Sequence, residues 1–196
     1  TFHRDRFTWL LYLVLAFYGY FINILGPITP FLRSELGLSY TVSSLHFAAF
    51  AVGMLGVGLF GHLLIRRVGR WHALWIGVVG LSLGALLLVT GKTPVITITA
   101  SFLMGLVGSL IIVIVPAALS DLHGELRAIP LSESNVISSL SATIAPLMVG
   151  LFARSTGDWR LALATIAMAP VLLYFGIGRG TSRTALANRE DPARIR

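Results

Sequence analysis

The chain has 196 residues, of which 56% are hydrophobic and only 12% charged, with a formal net charge of +7. A water-soluble domain is typically about 25% charged, so a soluble enzyme, a nucleic-acid-binding domain and a disordered regulator are all excluded. A mean hydropathy of +0.84 makes the bilayer the solvent to reason with.

The charges cluster and leave long gaps at 7–32, 36–65, 71–91, 93–120, 134–153 and 161–178, which together hold 143 of the 196 residues. A helix needs about 20 mostly apolar residues to cross the hydrocarbon core. The gaps are therefore predicted to be six transmembrane helices, and their continuous apolar character excludes a barrel built on period-two alternation. The fold class expected is an all-α membrane bundle over 1–178, followed by a polar tail, 179–196, that reads as a cytoplasmic linker.

Helix one, about Phe7–Leu32, carries Pro27 and Pro30 and is expected to kink in its outer third, because proline removes a backbone donor. One face holds Ala16, Gly19, Tyr20, Asn23, Gly26, Pro27 and Pro30 and is expected to look inward, with the Leu, Val, Phe and Ile face toward lipid. Ser39 or Thr41 is placed to cap helix two (about 41–64), whose Ala49, Gly53 and Gly56 allow close helix approach. A basic link, 66–70, leads into helix three at Trp71. Helix four begins at Pro94, presents Ser101, Gly105 and Ser109 at four-residue steps, and is expected to break at Pro116. Helix five starts near Pro130 and helix six runs from about Trp159 to Ile177 with Pro170 inside it. The first residue is Thr1, which reads as a trimmed start, and helix one is too long for a signal peptide.

Eleven of the 15 basic residues fall before helix one, in the second and fourth links or after helix six, and four fall in the remaining links. Cytoplasmic links carry the excess of Lys and Arg, so both termini are expected to be cytoplasmic, in an inner or plasma membrane. An internal repeat shows at a shift of 88 residues, where Arg66, Gly69 and Trp71 stand opposite Arg154, Gly157 and Trp159. Three crossings is an odd number, so two such triplets, about 7–90 and 94–178, have opposite topology, as in the inverted repeats of transporter halves.

These residues together resemble the N-terminal six-helix half of the major facilitator superfamily. The Gly26-Pro27 to Pro30 end of helix one is similar to that family's Gly-Pro-x-x-Pro pattern. The run from Gly61 through Arg66 to Gly69 and Arg70 resembles its signature between helices two and three, with the family's aspartate missing. Ser101 to Gly108 resembles the family's helix-four motif with Ser101 in place of arginine, and Ala145-Pro146 to Gly150 resembles its helix-five antiporter motif. Gly157 to Arg160 is similar to the family's entry to helix six. The resemblance implies secondary active transport of a small solute by alternating access. It makes Gly61, Arg66, Gly69, Arg70 and Pro146 gating or motif positions. It also implies a partner, a second six-helix half or a homodimer mate, so that the chain is a fragment, a split half or a dimerising subunit.

Read from the residues alone, Asn23 lies about halfway across helix one and either lines a cavity or bonds a neighbouring helix. Tyr20, one turn away, either lines the same cavity or packs. Asn135 and Ser138, with Ser139, pose the same choice in helix five. Glu133 is the acid closest to a span. It is a candidate for proton coupling or meets cytoplasmic water, and on the first reading Glu133→Gln would abolish pH-driven uptake. His46 and His62 are expected at the interfaces, and His62, His72 and the three arginines between them can meet anionic lipid heads. No enzyme is expected, since no nucleophile has a base in reach and no His-Glu-x-x-His occurs. No cofactor or metal is called for, and a non-transporting assembly subunit is the alternative function. The cavity face is apolar and aromatic, which favours a neutral or amphipathic solute.

Overall fold

A computed structural model describes residues 2–178. The helices are α1 (Arg6–Leu36), α2 (Tyr40–Val68), α3 (Arg70–Thr90), α4 (Pro94–His123), α5 (Ala128–Ser155), α6 (Leu161–Ala167) and α7 (Ala169–Gly176). A single 3-10 turn, Gly124–Leu126, joins α4 to α5. Among the described residues, five helices are long and apolar enough to cross a bilayer, and the sixth segment, Leu161–Gly176, is shorter. The tail predicted as a cytoplasmic linker, 179–196, and Thr1 lie outside the described residues.

Local chemistry sets the ends. The Asp5 side chain accepts from the Thr8 N–H at 2.7 Å and starts α1, and Ser39 accepts from the Val42 N–H at 3.2 Å and starts α2. Such caps satisfy backbone donors that have no partner within the helix. Four glycines among the described residues have positive φ, namely Gly37, Gly69, Gly124 and Gly157. They follow α1, α2, α4 and α5, in left-handed or otherwise positive-φ conformations that side-chain-bearing residues avoid. Gly37 and Gly124 are thus paired across the two helix triplets, as are Gly69 and Gly157.

Four expectations need correction. α2 continues to Val68 and α3 begins at Arg70, so the expected five-residue basic link shrinks to Gly69 alone. α4 runs unbroken through Pro116 to His123. A proline inside a helix frees one carbonyl and clashes with one turn, and a bundle can absorb both. The sixth segment breaks instead, at Met168, and Pro170 sits in the first turn of α7, where its missing N–H costs nothing. Lastly, the apolar face of α1 does not meet lipid. Phe17, Phe21, Ile24 and Ile28 are all at most 5% exposed, so α1 is the central helix of the bundle.

Packing follows a crossed pattern, with α1 chiefly along α5, and α4 chiefly along α2 and α3. Tyr12 meets Glu133 and Leu15 meets Ser138, so α1 and α5 run parallel. His46 meets Thr97 and Gly53 meets Leu106, so α2 and α4 run parallel as well. Gly77 lies by Leu110 and Gly84 by Met104, which makes α3 and α4 antiparallel. The starts of α1, α3 and α5 therefore share one end of the bundle, the basic end, and the starts of α2 and α4 share the other. Tyr174 of α7 returns to Trp75 near the start of α3, with ring centroids 5.1 Å apart.

Candidate functional site

The seam between α1 and α5 gathers most of the sequence-predicted residues. At the basic end Glu133 is held by the guanidinium of Arg4, with Nε donating to Oε2 at 2.9 Å, and by the Tyr12 hydroxyl, which donates to the same oxygen at 2.9 Å. That carboxylate in turn raises the Arg4 guanidinium above its ordinary pKa. All of this fixes the segment before α1 onto α5. Glu133 is thus an ion-pair partner with both carboxylate oxygens engaged.

Farther along, the Ser138 hydroxyl donates to the Leu15 carbonyl at 3.2 Å, and Ser138 stands directly against Gly19. Tyr20 is 2% exposed and donates to the Ala162 carbonyl at 2.7 Å, tying α1 to α6. In this conformation both hydroxyls hold helices together and neither offers itself to an open face. Asn23, Asn135 and Pro146 are exposed. The Asn23 amide nitrogen donates to the Gly19 carbonyl of its own helix at 2.8 Å.

The structure does not bring the two asparagines together. The register that sets Tyr12 by Glu133 and Gly19 by Ser138 puts Asn23 level with Ala142–Pro146 and Asn135 level with Leu15. At 1.5 Å per residue they are about 12 Å apart along the seam. Between them stands the exposed Ser139, and the exposed Thr143 is level with Asn23. Thr143 escapes a reading of the sequence because it is one hydroxyl among the many of helix five, and only the register of α1 against α5 singles it out. A shallow groove of about 500 Å³ continues past Pro146 along Gly150, Leu151 and Arg154.

The gating positions sit at the basic end of α2 and α3. Gly61 is buried with Val57 and Leu110 beside it, Gly69 makes the turn, and Arg66 is exposed. Arg70 forms an ion pair with Asp121 at the end of α4. This acid, which no sequence motif singles out, gives Arg70 a partner although the family's own aspartate is missing from the motif. At the opposite end Glu35 is bound by Arg160 and by the Trp159 indole N–H at 2.7 Å, while Arg160 Nε donates to the Val89 carbonyl at 2.9 Å. One arginine thereby joins the ends of α1 and α3 to the start of α6.

His46, expected near the outer end of α2, is packed against α4 there. It is 2% exposed, between α2 and α4. His62 and His72 are exposed at the basic end.

Residues 11–194 match the model of the Major Facilitator Superfamily. The chain belongs to this family. It is similar to YwtG of Bacillus subtilis (strain 168), a protein named for metabolite transport, at 26% identity over 163 residues, covering 83% of this chain and 35% of that protein. It is also similar to a galactose-proton symporter of Escherichia coli (strain K12), at 27% identity over 166 residues, covering 82% of this chain and 34% of that protein. The chain thus spans about a third of the length of each. Family membership and the apolar helices together make it a multi-pass membrane protein.

Proposed function

We propose that this chain is the first six-helix half of a secondary transporter that moves a small neutral solute by alternating access. The observation that carries the reading is the exposed polar strip of Asn23, Asn135, Ser139 and Thr143 along the α1–α5 seam. The exposed positions of α2 are instead chiefly apolar, as at Leu45, Phe47, Val52, Leu55, Leu59 and Phe60. Polar groups in a membrane face the bundle interior or a water-filled path, so the strip is the wall of a solute path and the second half supplies the other wall. Uncharged amide and hydroxyl groups suit a solute that donates and accepts hydrogen bonds without net charge, and one of the relatives is named for galactose.

The helix triplets 7–90 and 94–178 act as inverted repeats. Support comes from the paired positive-φ glycines and from the crossed pairing of α1 with α5 and α2 with α4. The basic end faces the cytoplasm of an inner or plasma membrane, which puts both described ends on that side. Arg70 with Asp121 forms the inner fastening of α3 to α4, and the exposed Arg66 is free to meet the second half or lipid heads. Glu133 anchors the segment before α1 to α5, a structural part that replaces the coupling role open to it from sequence.

Uptake of radiolabelled D-galactose into liposomes tests the reading, with the chain reconstituted alone and together with a second six-helix half of the family. Uptake is expected only with both halves, reduced about tenfold or more by Asn23→Ala, since one lost solute hydrogen bond of about 1.4 kcal/mol is a factor of ten. Binding and uptake unchanged in Asn23→Ala and Thr143→Val would remove the strip from the solute path.

A further inference from the structure

His46 is a buried imidazole between α2 and α4, whose other buried polar groups there are the uncharged Ser43, Thr97 and Ser101. Its Nδ1 lies 3.1 Å from the Ser43 carbonyl and its Nε2 lies 2.8 Å from the Thr97 hydroxyl. A carbonyl only accepts, so Nδ1 carries a proton. Neutral His46 therefore presents a bare Nε2, to which the Thr97 hydroxyl donates. That hydroxyl also lies 3.1 Å from the Pro94 carbonyl and 3.3 Å from the Thr93 carbonyl. If a proton is added to Nε2, the direction of the contact reverses. Nε2–H donates to the Thr97 oxygen, whose own proton turns to Pro94 or Thr93. Every donor is satisfied in both states, so a proton can be taken up without breaking a hydrogen bond.

The proton's charge has no counter-ion there. α4 carries no charged residue before Asp121, and α2 carries none before Arg66, both at the far end. α3 has its charged residue, Arg70, and its histidine, His72, at that far end as well. At the near end Glu35 of α1 is already bound by Arg160 and Trp159, Arg33 stacks over the Tyr40 ring at 3.8 Å, and Lys92 lies in the link before α4. An imidazolium without a counter-ion in an uncharged seam is costly, and the cost falls when water reaches it.

We propose that His46 is a proton-binding site, and that its occupancy opens the α2–α4 seam at the end opposite the basic end. Both the imidazole and its reversible partner Thr97 are needed. The site deepens the transport reading by naming the proton as the coupling ion, and it rests on that reading only for this physiological meaning. Proton binding and seam opening are measured without any solute.

The test uses the full chain in lipid nanodiscs. The ¹⁵N resonances of its five histidines are followed between about pH 8 and pH 5, the range in which imidazoles titrate, with His46 assigned by its loss in His46→Gln. The sequence has no cysteine, so spin labels attach only at introduced sites, Thr41→Cys and Val95→Cys, both exposed near the seam. We expect His46 Nε2 to take up a proton reversibly and the labels to move apart as pH falls. If the open seam binds the proton ten times more tightly, the open-to-closed ratio rises up to about tenfold. In His46→Gln the label separation stays constant, and in Thr97→Val the ring titrates at a different pH. A ring that stays neutral to about pH 5, or a separation that shifts equally in His46→Gln, overturns the proposal. Titration is read on the unsubstituted ring, and where His46→Gln does not fold the assignment is made by elimination from variants of the exposed His62 and His72 and of His3 and His123. Galactose uptake that fails while His46 titrates rejects the transport reading and leaves the proton site standing.

Discussion

The seams α1–α5 and α2–α4 occupy matching places in the two helix triplets, yet different chemistry closes them. α1 and α5 are joined by polar side chains: Arg4 and Tyr12 on Glu133 at the basic end, then Ser138 on the Leu15 carbonyl. α2 and α4 are joined by absence of side chain. Gly53 lies on the backbone of Phe102 and Leu106, and Gly105 on the backbone of Phe50, with the His46–Thr97 contact near the opposite end. Since lipid supplies no hydrophobic drive between helices, close backbone approach and interhelical hydrogen bonds are the two ways available to hold them. Each seam relies chiefly on a different one. The polar seam is the one whose outer edge still offers amides and hydroxyls, and the small-residue seam is the one whose lone imidazole can change its charge.

The largest effect is expected at the glycine seam. In Gly105→Val the added carbon meets the Phe50 backbone, which has no flexible end to move. Overpacking of this kind costs about 3 kcal/mol, read as lost thermal stability in detergent, whereas Gly58→Val, with open space around it, leaves the melting curve in place. Next comes Arg160→Ala, which strips Glu35 of its cation and Val89 of a donor. A loss of about 1–2 kcal/mol is expected, and Arg160→Lys restores only part of it because it cannot reach both partners at once. Smaller still is Glu133→Gln. Arg4 is on the surface, so the melting point drops by about 2 °C at low salt and the drop disappears near 1 M salt, where screening acts over about 3 Å. Solute uptake persists in Glu133→Gln, whereas on the proton-coupling reading open to Glu133 from the sequence it would stop. Pro116→Ala is expected to change neither helicity nor melting, because α4 is already continuous there.

Much of this architecture is legible in the amino-acid sequence. Charge-free runs locate six segments because burying an ionised side chain in hydrocarbon is costly, and Ser39 and Pro94 mark helix starts through their own backbone chemistry. The repeat is visible as Gly69 and Gly157 because a positive φ selects the residue type. Other features depend on distant partners. Asp121 means little until the antiparallel α3 and α4 bring Arg70 to it, and Ser138 and Ser139 look alike until register turns one into the seam and the other out of it. The central position of α1 is hidden for a related reason. An apolar face suits lipid and protein equally well, so hydropathy alone cannot choose between them. The burial of His46 is hidden in the sequence because the Thr97 hydroxyl that receives it is 51 residues away.

The solute-path claim is tested most directly by water access along the two seams. Single cysteines replace Asn23, Asn135 and Thr143 on the polar strip, and Val52, Leu55 and Leu59 on α2, in a chain with no thiol of its own. Each is exposed to a membrane-impermeant maleimide with the protein in a lipid bilayer. The account predicts labelling along the strip, blocked by a transported solute, and none on α2. Equal protection of all six positions, or labelling of α2 with the strip silent, would contradict it.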